Sequence, residues 1–168
     1  EEQAAAALLH DIIEDCDVSA TELVDVLVAR GADQAAAERV TTMVEATTDG
    51  QASDKRNKSD WLRRKQTYLD GLAAKPVNHP ALLVSLADKV HNAEATLAQV
   101  RGGQSANDLY AGTEFNAKAA DQKWYYTSLA AVLGKHLSSE VNAQPLVRRL
   151  ATAVEEIFRD VAVTGGPQ

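Results

Sequence analysis

The sequence predicts an all-α protein, and three observations carry that prediction. Alanine and leucine dominate while aromatic residues make up only 5% of the chain, a composition that favours helix over strand. Runs of β-branched residues with two-residue alternation are nearly absent, so the 45% apolar content has to be buried by helices. Capping residues also recur ahead of segments whose apolar positions return every three or four residues. At 168 residues the chain suits a single domain over positions 1–168, large enough to bury a continuous core.

The elements follow in order. A first helix is expected from about Gln3 to Asp15, burying Leu8, Leu9, Ile12 and the neighbourhood of Cys16. Ser19-Ala-Thr-Glu22 has the spacing of a capping box, so a second helix should run to Arg30, where Gly31 stops it. Asp33 caps a third, carrying Ala36, Val40, Met43 and Val44 and ending before TTDGQASDKRNK, Thr47 to Lys58, a loop by composition. Ser59 or Asp60 opens a fourth through Trp61, Leu62, Tyr68, Leu69 and Leu72, closed by Pro76. Pro80 fits the first turn of the next, ALLVSLADKVHNAEATLAQV, which Gly102-Gly103 ends. Gln104 to Ala117 reads as a long connection, followed by helices over about Asp121 to Leu137 and Pro145 to Val161 and a frayed GGPQ tail.

A formal charge of −7 opposes non-specific binding to DNA or RNA, which depends on neutralising many phosphates with Lys and Arg. A small anionic ligand remains compatible where a metal or a local basic cluster offsets the field. The lone cysteine, Cys16, excludes an internal disulfide and fits a reducing compartment. No apolar run approaches the roughly 20 residues a spanning helix needs. The expectation is a cytoplasmic protein with no membrane partner and no nucleic-acid polymer partner, open to homo-oligomerisation.

Two segments concentrate chemistry. In ALLHDIIEDC, Glu14 lies four residues after His10 and Asp15 four after Asp11, so on a helix the pairs share neighbouring sides. A His–Asp pair followed within a turn by Glu–Asp places metal-ligand types beside two carboxylates able to orient or deprotonate a water. Taken alone, the segment reads equally well as a charged, solvated helix face. In SLADKVHN, Asp88 and Asn92 stand four apart among Leu82, Leu83, Leu86, Ala87 and Val90. An acid inside so apolar a helix must find partners, because burying it unpaired costs on the order of several kcal/mol. A metal shared with His10 and Asp11 would supply one.

HDIIED together with SLADKVHN resembles the HD superfamily of metal-dependent phosphohydrolases, and specifically the hydrolase domain of the RelA/SpoT-type alarmone enzymes and the small stand-alone alarmone hydrolases. RRKQTYLDGL and FNAKAADQKWYY resemble segments of the stand-alone members, and the likeness spans about Ala4 to Leu133. The resemblance implies an HD-domain helical bundle in which His10, Asp11 and Asp88 are metal ligands for a divalent ion, by family precedent manganese. It implies that Glu14 and Asp15 activate the attacking water and that Asn92 contacts the nucleotide. The implied reaction removes the 3′-pyrophosphate from (p)ppGpp. The family carries a further metal-binding histidine upstream of the HD pair with no counterpart here, so the natural domain is expected to extend before Glu1. An HD hydrolase of another nucleotide and a non-catalytic helical binding or regulatory module are the alternatives, the second disfavoured by the intact Glu14–Asp15 pair.

The remaining polar residues have plainer readings. Lys55, Arg56, Lys58, Arg63, Arg64 and Lys65 read as a solvated basic face; the alternative has one or two of them reaching substrate phosphates, where an arginine's planar fork would pair two oxygens, and Arg64 is chosen because it lies in the helix that resembles the family. His91 is structural, His79 a surface residue near a helix start, and His136 sits at a favourable helix C-terminus. Trp124, Tyr125 and Tyr126, at consecutive positions, cannot all face one site, and most belong to the core.

Overall fold

A computed structural model describes residues 1–16, 18–48, 61–111 and 117–162. These form an all-α helical bundle with no strand among them. The helices are α1 (Glu2–Leu9), α2 (Ile12–Cys16), α3 (Ala20–Ala29), α4 (Gln34–Thr47), α5 (Trp61–Ala73), α6 (Pro80–Arg101), α7 (Ala106–Leu109), α8 (Ala119–His136) and α9 (Gln144–Ile157), with a 3₁₀ turn at Val141–Ala143 before α9. No described helix is long and apolar enough to cross a membrane.

The local signals act as their chemistry dictates. Ser19 and Glu22 form the reciprocal capping box of α3, and Gly31, at φ +100°, supplies the left-handed step that ends it. Asp33 accepts hydrogen bonds from the amides of Ala35 and Ala36 at the start of α4. Helix α4 carries Val40, Met43 and Val44 into the core, so its start matters. Asp33→Ala is expected to cost about 1 kcal/mol, read as a lower urea midpoint with an unchanged slope. Pro80 occupies the first turn of α6, whose N-cap is His79, its Nδ1 accepting from the Ala81 amide at 3.3 Å.

Three expectations are corrected. The single opening helix is broken at His10-Asp11, giving α1 and α2. The Nδ1 of His10 takes the carbonyl of Ala7 at 2.8 Å, the group that would accept the amide of residue 11 in an unbroken helix. Its burial pattern also differs: Leu8 is 86% exposed and Cys16 exposed, while Ala6 and Ile13 point inward. The connection over Gln104 to Ala117 contains α7, started by Ser105 accepting from the Asp108 amide. Helix α9 ends at Ile157 rather than Val161, and the Lys123 ammonium donates to the freed carbonyls of Phe158 and Val161. The loop over Thr47 to Lys58, the Ser59 or Asp60 cap and the tail fall largely or wholly outside the described residues.

The core has two parts joined by α6. The larger packs α5, α6, α8 and α9 around Leu72, Leu82, Leu86, Leu129, Leu133 and Phe158. The smaller packs α1, α3 and α4 through Ala6, Leu23, Val40 and Val44 onto Ala81 and Val84 of α6. A helix that serves two cores must be apolar on most of its circumference. Asp88, on the third turn of α6, therefore sits near the seam, where the α1–α2 break approaches it.

Candidate metal centre

The break between α1 and α2 and the middle of α6 bring three side chains distant in sequence to one point. Nε2 of His10 lies 2.9 Å from Oδ2 of Asp11 and 3.2 Å from Oδ1 of Asp88. Asp88 is the sheltered member, its side chain 8% exposed against 24% for His10 and 56% for Asp11. The partners demanded by a carboxylate inside α6 are present: Lys89 Nζ at 2.6 Å from Oδ2, and Asn92 Nδ2 donating to Oδ1 at 2.7 Å.

The imidazole orientation carries chemical information. A backbone carbonyl can only accept, so the 2.8 Å contact to Ala7 places the proton of His10 on Nδ1. In the neutral ring Nε2 then presents a lone pair to two carboxylate oxygens. Three acceptors facing one another repel unless a positive charge joins them, either a second ring proton or a cation. The carboxylates add to this demand. Asp11 is held above the usual carboxylate range, first by burial and then by the negative charges of Asp88, Glu14 and Asp15, against the opposing pull of His10.

The other sequence-derived residues are placed less uniformly. Glu14 is half-buried and Asp15 exposed on α2, both within electrostatic reach of Asp11. Asn92 is exposed one turn beyond Asp88 and tied to it. Arg64 is half-buried on α5, and its Nε is buried without a hydrogen-bond partner. Among the described residues, no three or more His, Cys, Asp or Glu side chains are already spread as a metal cage. The donors instead converge pairwise on one ring nitrogen.

Sequence reasoning missed the basic and aromatic layer behind Asp88. Lys89 lies with its ammonium 5.6 Å from the centre of the Tyr68 ring, and the Tyr68 hydroxyl donates to Ser85 Oγ at 3.1 Å. Burial works against the charge of Lys89, yet its pKa stays well above the ordinary value. The Tyr125 and Tyr68 phenols and the Asp88 carboxylate raise it; burial pushes both phenols upward, so they are neutral at pH 7 and the carboxylate is the charged partner there. Lys65 lies 4.8 Å from the Tyr125 ring centre and 5.9 Å from that of Trp61. Burial, then repulsion from Lys89, pushes its pKa down to about 7, with Glu14 and Asp88 pulling the other way. The signal was present in sequence: a lysine directly after Asp88 in an apolar helix, like that aspartate, needs a partner. Of the three consecutive aromatic residues, Tyr125 is fully in the core, in edge contact with Trp61 at 5.9 Å, while Trp124 and Tyr126 are partly buried. His136 ends α8 as expected, although its Nδ1 is buried without a partner.

Two open grooves lie away from this centre, one along α6 and α9 beside Arg101, Arg148 and Arg149, the other beside Glu2, Arg39, Met43 and His79. In the first, Arg101 and Arg149 are each gripped by a carboxylate, Glu156 and Glu94. Most of the positive charge of that groove is thus already matched. No family model, curated protein or solved structure matches the chain.

Proposed function

We propose that the chain is a metal-dependent phosphohydrolase of the HD type, acting on a nucleotide and most specifically removing the 3′-pyrophosphate of (p)ppGpp. The observation that carries the metal reading is the set of three acceptors meeting at Nε2 of His10, with the Nδ1 proton committed to Ala7. One imidazole and two carboxylates suit a borderline or hard divalent ion, with manganese favoured by the resemblance of HDIIED and SLADKVHN to that family. The same resemblance, and no geometry, supplies the substrate.

His10, Asp11 and Asp88 would hold the ion, the Ala7 carbonyl fixing the imidazole and the Asn92 amide steadying Asp88. A divalent ion bound there supplies charge withdrawal from phosphoryl oxygens and a more acidic water. Glu14 and Asp15, on the short helix directly after the ligand pair, orient the attacking water and accept its proton. Asn92 and Arg64 hold the nucleotide and its phosphates. The balance is water plus (p)ppGpp giving GDP or GTP and pyrophosphate.

The test is pyrophosphate release from ppGpp with and without manganese, run beside deoxynucleoside monophosphates and a phosphorylated dinucleotide cofactor. Manganese-dependent release from ppGpp alone is the expected result. Release only from another nucleotide would keep the metal centre and change the substrate. No manganese binding and no turnover on any of them would overturn the enzymatic reading in favour of a binding module.

A further inference from the structure

We propose that Lys89 is a positioning residue that withholds one oxygen of Asp88, leaving that carboxylate a single oxygen to share with His10; the inference rests on the reading of the triad as a divalent-cation site. Side chains at adjacent helix positions diverge by about 100° and do not ordinarily meet. Lys89 nevertheless curls back to place Nζ 2.6 Å from Oδ2 of Asp88, while Oδ1 faces Nε2 of His10 at 3.2 Å and receives the Asn92 amide. The two oxygens thus have separate partners.

The lysine has nowhere else to go. Its side chain is 13% exposed, its head lies by the Tyr68 ring, and the Tyr68 hydroxyl is tied to Ser85. Moving Nζ away from Asp88 would bury an ammonium without a counter-charge. A carboxylate with both oxygens free can grip a hard cation through the pair, whereas one with an oxygen taken binds through the other alone. A ligand that gives one oxygen leaves a coordination position for something other than protein, which a catalytic site needs and a structural site does not. Lys89 therefore trades cation affinity for an open position.

The sign of its removal follows. Lys89→Met keeps the stem and loses the ammonium, which frees Oδ2 and removes a like charge beside the cation. Both changes favour binding. Manganese is expected to bind about tenfold more tightly to Lys89→Met than to the unmodified chain, with lower water-proton relaxation enhancement per bound ion because fewer waters remain on it. A lysine that served folding alone would give weaker binding and unchanged relaxation.

The experiment titrates manganese chloride into the unmodified chain and Lys89→Met by calorimetry and by water-proton relaxation. Tighter binding with reduced enhancement supports the proposal; equal or weaker binding with the same enhancement overturns it. Absence of manganese binding by the unmodified chain overturns the cation-site reading instead. The Lys89–Asp88 contact is then decided, as it is if Lys89→Met does not fold, by nitrogen-15 lysine NMR of the unmodified chain and Asp88→Ala. A slowly exchanging ammonium signal lost in Asp88→Ala supports the contact, and lack of any such signal in the unmodified chain overturns the proposal.

Discussion

Asp88→Asn should abolish manganese binding and turnover together while leaving the helices in place. Asparagine keeps a side-chain oxygen able to accept from Lys89 and removes the charge on which the proposed ligand role of Asp88 depends. The affinity loss expected for a deleted charged ligand is at least about 10²-fold, read by calorimetry, with far-ultraviolet circular dichroism unchanged. Asp88→Ala should fail in the same assays and also lose about 3 kcal/mol of stability, because it leaves the Lys89 ammonium, in a side chain only 13% exposed, with neither a counter-charge nor an acceptor from residue 88. The contrast separates the proposed cation-holding role of this carboxylate from its role as the acceptor for a buried lysine. Full manganese occupancy in Asp88→Asn with turnover lost would remove Asp88 from the ligand set.

The helices were legible because their causes are local. Ser19 with Glu22, Asp33, Pro80 and Gly31 each satisfy or terminate backbone groups within a turn of themselves, so their spacing carries the outcome. The convergence of His10, Asp11 and Asp88 was legible for another reason: a carboxylate in the apolar run of α6 demanded a partner, and the HD pair was the best candidate. What could not be read is set by side-chain competition for backbone groups and by packing across elements. Nothing in ALLHDIIEDC announces that His10 will take the Ala7 carbonyl and break the helix, because a surface histidine has the same spelling. The outward turn of Leu8 follows from the placement of α1 against α4 and α6, with Ala6 rather than Leu8 meeting the core. Lys89 was overlooked for a related reason, since adjacent helix positions are expected to diverge.

Exchanging the acidic pair, as Glu14→Gln with Asp15→Asn, should spare manganese binding and remove most turnover. The contacts described at Nε2 of His10 come from Asp11 and Asp88, while Glu14 and Asp15 stand on the separate five-residue helix α2 that follows the break. The break bears on this pair, because a continuous helix would carry Glu14 and Asp15 on a path fixed by α1, whereas α2 can take its own direction while Asp15 still donates its amide to the Asp11 carbonyl at 2.8 Å. Their charges raise Asp11, so neutralising both should lower the Asp11 pKa toward its ordinary range. Asp11 is then ionised to lower pH than before, so manganese binding in the double variant should persist at least as far into the acid range as in the unmodified chain. Turnover should fall by about 10²–10⁴-fold, the contribution of a positioned acid–base group, with little change in KM. A double variant with normal turnover would remove the pair from the chemistry, and one that lost manganese would make it part of the ligand set.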